Sequence, residues 1–512
     1  MGKLLPQYQK SVIEDIVYSI TSNVSHYYAF AANPIAYDGS PPVINTNMYT
    51  TTFTNDWQML FGKKLSNGDI VPVILNNTWT ENTVYNRFDN TVPDLTNYFV
   101  VTPPGEAGGD YRIYTCIDKP ASGAGSTYKP DQVQQTSFKQ DDGYTWRYIT
   151  SITRGQYNKT ATVDYCPVTS NVTIVAAAPN YAGVEVVVVR NGGSGYECYA
   201  NGYVRSVPNT DIIQIEPESH PDQDYYTDSS IYFINIDSNT NALRTIVDYY
   251  VNTSSGAKFV KLNEPIDANN IISGVTQYDI APSVVFKTDG IVKPKARCFI
   301  NPQTNSIANV QILVPGSDTS WCNVSIQSNT SYGSGANVYG IVPPPGGHGY
   351  DPAAHLDIKG FAVSFFFSNT ETDTIPANTL FNKIGLIKNP YTLEDDGTKT
   401  TIPYTSNTFN AVLQGNVTTQ FTLGDTVIGL NSKARGTVAF SNSTTLYLTG
   451  DKYFTNNETI VSAVSETTNS QLVINTLGDV YTKDISPLYV QNITNVTRTA
   501  STTESFKLII KV

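Results

Sequence analysis

Apolar residues return at helical spacing most clearly near the start of the chain. Val12, Ile16, Ile20 and Val24 share one face, flanked by Ile13 and Val17, which predicts a helix over 11–24. Ser11 and Glu14 are spaced as a capping box, in which each satisfies a free backbone N–H. The run His26-Tyr-Tyr-Ala-Phe-Ala-Ala-Asn33 reads as a strand ended by Pro34, and a short second helix is expected to carry Trp57, Leu60 and Phe61 before Gly62. Beyond this point the period falls to two. Residues 69–119 read as a run of strands, including Asn77–Tyr85 and Tyr111–Asp118, the latter with Tyr111, Ile113, Thr115 and Ile117 on one side. A loop rich in Gly, Ser and Pro fills about 119–137. In Asp141-Asp142-Gly143-Tyr144-Thr145-Trp146-Arg147-Tyr148-Ile149 an Asp-Gly turn leads alternating aromatics into a strand.

The second half continues in the same manner. Val184 to Val189 is a β-branched run expected to be a buried strand, turned by Asn191-Gly-Gly-Ser-Gly-Tyr196. Further strands are expected at Ile231–Ile236 and Val310–Val314. Residues 341–391 open on Pro343-Pro-Pro-Gly-Gly-His-Gly-Tyr-Asp-Pro352, a loop whose glycines and prolines supply backbone angles other residues avoid. They continue through Phe361–Phe367 and end on Phe381-Asn-Lys-Ile-Gly-Leu-Ile-Lys-Asn-Pro-Tyr391. Residues 411–478 hold an internal echo: Phe421-Thr-Leu-Gly-Asp-Thr-Val-Ile428 matches Phe454-Thr-Asn-Asn-Glu-Thr-Ile-Val461 in character. Two closing strands are expected in Pro487–Asn492 and Glu504–Val512.

A chain of 512 residues is too long for one ordinary domain. The pattern predicts a mainly β protein of several β-sandwich or barrel units, with a short N-terminal helix and few other helices. The expected divisions are 1–180, an N-terminal β domain with its leading helix; 181–340, an elaborated middle region of one or two sandwiches; 341–410 and 479–512, strands returning to the main β domain; and 411–478, a small inserted barrel-like unit joined through Thr405-Ser-Asn407 and Gly478-Asp479.

Composition sharpens this. Only 15% of residues are charged, with 34 Tyr, so polar neutral and aromatic side chains carry the surface and turns. A net charge of −12 repels a phosphate backbone and argues against a nucleic-acid partner. Cys116, Cys166, Cys198, Cys298 and Cys322 form no C-x-x-C and are odd in number, which reads as buried free thiols made in a reducing cytoplasm. No apolar run approaches the ~20 residues that span a bilayer. No signal-peptide core opens the chain, and Pro6 breaks the myristoylation pattern after Met1-Gly2, so a soluble chain without membrane insertion is expected.

Candidate chemistry is sparse. His348 and His355 share a segment with Asp351 and Asp357, and metal sites need such ligands to converge. Gly347 and Gly349 instead suggest a loop chosen for backbone shape, and no third histidine is near. Asp141-Asp142 and Asp395-Asp396 could be paired acids of a glycosidase, but neighbours in sequence point apart and both pairs precede Gly, which favours turns. There is no G-x-S-x-G, Walker loop, H-E-x-x-H or G-x-G-x-x-G. Tyr27, Tyr28, Trp146 and Tyr148 read either as core or, if exposed, as interface anchors. No catalytic, cofactor-binding or metal-binding residue is assigned.

Several stretches resemble the baseplate wedge subunits of large contractile-tailed phages, of the dimeric gene-product-eight type. They are the opening helix and aromatic strand, Asn77–Tyr85, Tyr111–Asp118, the Asp-Gly-Tyr-x-Trp-x-Tyr turn at 142–148, the Gly-Gly-His-Gly loop with its Asp351-Pro352, the Ile384-Gly-Leu-Ile-Lys-Asn-Pro390 strand end, and the two closing strands. The resemblance touches roughly 20–150, 341–395 and 484–512. Where the family has Gly-Arg after the first strand, this chain has Ala32-Asn33, and the family's Asn-Arg-x-x-Ile is here Asn492-Ile-Thr-Asn-Val496. The resemblance implies a structural, non-enzymatic virion protein of the tail baseplate, assembled in the bacterial host cytoplasm. Its partners would be a second copy (a homodimer) and other wedge proteins, with no cofactor and no small-molecule substrate. The rival expectations are a tail-associated glycan depolymerase, since β-rich, acidic, Tyr-rich chains also suit sugars, and a receptor-binding tail protein. Neither the long regular β-helix nor the trimeric repeats usual in those classes is found.

Overall fold

A computed structural model describes residues 6–22, 25–44, 47, 58–92, 95–134, 136–169, 183–234, 242–267, 269, 271–329, 331–368, 377–393, 398–401, 406–408, 411–417, 420–450, 454–463, 470–476, 487–499 and 501–512. Among these, 47% lie in strands and 7% in three helices, so the protein is mainly β with a short N-terminal helix. The chain divides into two compact units: Met1–Leu75 with Gly155–Pro167 and Ile358–Val512, and Asn76–Arg154 with Val168–Asp357.

The first unit is built on two antiparallel sheets. One has five strands in the spatial order Ser406–Thr408, Met59–Lys64, Tyr27–Ala32, Leu380–Lys388 and Pro487–Thr497. The other has four, in the order Glu504–Lys511, Gly360–Phe367, Ile70–Leu75 and Tyr165–Pro167. Their inner faces meet in a phenylalanine cluster. Phe61 and Phe381 come from the five-stranded sheet, and Phe367 and Phe506 from the four-stranded one. Ring centroids lie 4.9 Å apart for Phe61–Phe367 and 5.9 Å for Phe381–Phe506, mostly edge-on as ring quadrupoles favour. Gly385 sits where a Cβ would run into the Phe30 ring and the Tyr489 carbonyl, so only a glycine leaves room for Phe30 against its strand neighbour. The first strand stops at Asn33, which takes φ +63° and donates its amide to Asn382 Oδ1 at 2.6 Å. Asn382 in turn donates to Asn495 Oδ1 at 2.9 Å, so a chain of carboxamides ties the first, middle and last parts of the sequence.

Residues of the C-terminal third also form a closed six-stranded barrel, in the order Ala411–Asn416, Thr445–Gly450, Arg435–Ser441, Thr426–Gly429, Glu458–Ser462 and Ser470–Thr476. It encloses its own core, including Leu413, Phe421, Val427, Val438, Leu448, Phe454 and Ile460. The sequence echo is a duplicated turn. Thr422 N donates to Asp425 Oδ2 at 3.0 Å, and Thr455 N to Glu458 Oε1 at 2.6 Å. Gly424 and Asn457, the residues before the two acids, both have positive φ, +86° and +59°. Phe421 and Phe454 both point into the barrel, and the strands that follow pair, with Ile428 opposite Val461.

The second unit contains a four-stranded sheet, Phe99–Thr102, Tyr111–Asp118, Thr145–Ile152 and Phe138–Lys139 in order. Its ten-stranded sheet is organised around the long strand Gln277–Thr288. Tyr278 and Ile280 of that strand belong to one core, with Ile231, Tyr249 and Val260; Ala281 and Phe286 belong to another, with Val184, Cys298 and Val310. One strand thus serves two cores.

Several expectations are corrected. The helix spans Pro6–Thr21, so Ser11 lies inside it and is no cap; proline suits a first helical turn because its missing N–H has no partner there anyway. Val24 and Trp57 lie outside the described residues. Leu60 and Phe61 belong to the strand Met59–Lys64, not a helix; it is flanked by strands on both edges, and residues 59–62 are buried on both faces, which erases the alternation that marks a strand. Asn77–Tyr85 is an irregular segment, with Asn82 at φ +64° and single bridges from Thr78 and Thr83. The run 184–189 is only partly buried, and its strand, Val186–Ser194, passes straight through the expected turn. It bulges at Arg190, opposite Asn337 and Val338, and further on Gly193 takes φ +64° close to the Ser334 carbonyl. The division also differs from 1–180 and 181–340. Ile70–Leu75 pairs with Gly360–Phe367 and Tyr165–Pro167, whereas 76–154 packs with 168–357.

Candidate functional site

The histidine segment lies wholly in the second unit. Its loop turns on Gly346, Gly347 and Gly349, with φ of +86°, +93° and +83°. At Gly346 a Cβ would also strike the Tyr350 ring. The loop enters the four-residue helix Pro352–His355, whose N-cap Asp351 accepts a hydrogen bond from Ala354 N at 3.0 Å. Asp351 therefore shapes the backbone. Asp357 has φ +56° and closes the far end of the same turn. Neither converges on the histidines as a ligand, and among the described residues no group of three or more His, Cys, Asp or Glu side chains could hold a metal ion.

His348 and His355 are brought together, 2% and 4% exposed. His348 Nδ1 lies 3.2 Å from His355 Nε2, and Thr115 Oγ1 lies 3.2 Å from the same Nε2. His348 Nε2 faces Glu185 Oε2 at 3.5 Å, and Arg147 pairs with the other Glu185 oxygen at 3.0 Å. The Phe88 ring stands edge-on to both imidazoles, at 5.0 and 5.1 Å between centroids. Tyr98 donates its hydroxyl proton to the His355 carbonyl at 2.7 Å.

Burial sets the charge state. Desolvation, aided by the Arg147 charge, holds His348 down at about 3 and His355 well below the usual histidine value, so both rings are neutral near pH 7. Burial pushes the Glu185 carboxyl up, and Arg147 opposes that shift. In the neutral pair one facing nitrogen must donate and the other accept. The cluster is thus a chain of polar groups, Arg147–Glu185–His348–His355–Thr115, that ties the 343–357 segment to the Tyr111–Asp118 and Thr145–Ile152 strands. Sequence reasoning found the histidines but not Thr115, Arg147 or Glu185. Arg147 carried one signal: it alternates with Trp146 and Tyr148, so it had to face away from their core.

The remaining candidates are turns and core. Asp142 Oδ2 accepts from Thr127 N at 2.9 Å and Ser126 Oγ at 3.1 Å, Asp142 Oδ1 accepts from Tyr144 N at 3.0 Å, and Gly143 follows with φ +88°. Asp141 is exposed. Asp395 and Asp396 lie outside the described residues. Trp146 is fully buried between Tyr85 and Tyr144, and Tyr27, Tyr28 and Tyr148 are buried too, so these aromatics are core. All five cysteines are free, and burial pushes the thiols up, to about 11 for Cys322 and about 12 for Cys166, Cys198 and Cys298, so they stay protonated. No helix among the described residues is long and apolar enough to cross a membrane. Set against models of known protein families and against curated proteins, the chain matches none.

Proposed function

We propose that this chain is a structural virion protein, a baseplate wedge subunit of a contractile phage tail. In this reading it acts as a homodimer that connects neighbouring wedge components, holds the baseplate before contraction and lets subunits rearrange as the sheath fires. One observation carries the reading: the scattered stretches that bear the resemblance are structural neighbours. Tyr27–Ala32 pairs with Leu380–Lys388, which pairs with Pro487–Thr497. Gly360–Phe367 pairs along its whole length with Glu504–Lys511. In the second unit the Asp-Gly-Tyr-x-Trp strand reaches the Gly-Gly-His-Gly loop through Arg147, Glu185 and His348. The stretch 411–478, which bears no resemblance, holds a separate barrel core. Resembling pieces that pair with one another, beside a barrel at 411–478 with a core of its own, are what a shared ancestral fold would give.

The test is the position of the chain in an imaged intact tail. Density for it in copies around the baseplate is the expected result. Density at a distal fibre tip would instead favour a receptor-binding protein, and hydrolysis of host surface polysaccharide by the purified chain would favour a depolymerase.

A further inference from the structure

We propose that a cavity beside Trp321, in the second unit, binds a single neutral pyranose ring of a glycan. The cavity measures about 260 Å³ and is lined by the 87–91 segment, by Trp321–Asn323 and by Tyr339–Val342. That is below the roughly 300 Å³ at which pockets for drug-sized ligands begin, so it suits one ring rather than a long chain.

Its walls are held in place from behind. Asp89 accepts hydrogen bonds from Thr91 N and Oγ1, at 3.0 and 2.6 Å, and pairs with Arg87 at 3.2 Å. Asn90 Nδ2 donates to the Ser320 carbonyl at 2.8 Å, joining the two sides. The Asp289 carboxylate accepts from Ser320 N at 2.9 Å and Trp321 N at 3.4 Å, which fixes the backbone that carries the indole. The Arg87 guanidinium lies 4.0 Å over the Tyr339 ring, and the Tyr339 hydroxyl is bonded to Asp118. Little ordering is left for a ligand to impose.

The groups turned toward the cavity match a sugar. Trp321 is 42% exposed and offers a flat apolar surface for the C–H face of a ring. Neither its indole N–H nor the Asn323 carboxamide is hydrogen-bonded to any described residue. Arg87 keeps N–H donors beyond its Asp89 contact, and Asp89 is an acceptor. Sugar hydroxyls both donate and accept, so they need this mixture. The guanidinium and carboxylate balance in charge, which selects a neutral ring over an anionic or cationic one.

The experiment is saturation-transfer NMR on the full chain, with the methyl pyranosides of glucose, galactose, mannose and N-acetylglucosamine as probes. At least one should receive transfer on its ring protons. Trp321→Ala should weaken that binding about tenfold or more, Trp321→Phe should retain most of it, and Asn323→Ala should weaken it with the melting curve unchanged. Trp321 is exposed and Asn323 is at the surface, so loss of fold does not confound the result. No transfer to any probe overturns the proposal, and so does transfer that Trp321→Ala leaves unchanged. Either result leaves the baseplate reading standing, since that reading does not use this cavity.

Discussion

Trp146 is fully buried and stacks on Tyr144 with ring centroids 5.7 Å apart, while Tyr85 meets it edge-on at 5.5 Å. Truncation to alanine would leave a void that the two rigid neighbouring rings cannot close, so Trp146→Ala should cost ~3–5 kcal/mol in denaturant melts. A variant as stable as the parent would refute this packing. The buried histidines make a second prediction, with a definite sign. Their folded pKa values lie below the unfolded value of 6.5, so the unfolded chain binds more protons as the pH drops. The stability they contribute is therefore full above pH 6.5 and lost as the pH falls below it, by about 1.4 kcal/mol per pH unit for each ring. Glu185 works in the opposite sense: its raised folded value gives stability that is present below the unfolded value of 4.5 and lost as the pH rises through the folded value. Melts between pH 7 and 5 should show falling stability, steeper in Glu185→Gln and flatter in His348→Gln with His355→Asn. A flat profile in the parent chain would mean that the rings are not held neutral.

At the scale of elements, what could be read from sequence was what local chemistry decides. The duplicated barrel turn was legible because Phe421 and Phe454, Thr422 and Thr455, and Asp425 and Glu458 do their work within a few residues of one another. The Asp-Gly turn at 142–143 was legible for the same reason. The strand Met59–Lys64 was not: partners on both edges and burial on both faces replaced its alternation with a continuous apolar run. The histidine cluster was half visible, because Thr115, Arg147 and Glu185 come from distant segments that only pairing brings together. The barrel yields its own prediction. Its first and last strands pair, with Val412 opposite Thr476, so the two ends of the segment lie side by side. Replacing 411–478 by a short Gly/Ser linker should therefore close without strain and leave the remainder soluble and cooperatively melting, since loop closure changes little with loop length. Aggregation or a broad, non-cooperative melt would place the barrel within the main core.

For the whole molecule the question is self-association. A net charge of −12 on each copy opposes it, and the repulsion is screened over about 8 Å at physiological salt. A dimer must therefore win by burying surface, on the order of 1,600 Å² in total for an interface of standard size. Exposed apolar side chains are present to contribute to such an area: Tyr8, Tyr18, Val43 and Val163 in the first unit, and Ile272, Val275 and Ile291 in the second. These terms fix the direction of the salt effect. If burial drives pairing and charge resists it, added salt weakens only the resistance. Sedimentation of the purified chain at micromolar concentration should then show a species of twice the 56.0 kDa chain mass, populated more strongly at 0.5 M than at 0.05 M NaCl. A dimer that dissociates as salt rises would mean that ion pairs hold it, contrary to this argument. A clean monomer at every salt concentration that also fails to bind other tail proteins would remove the support for a wedge subunit, because a connecting protein with nothing to connect to has no mechanical role.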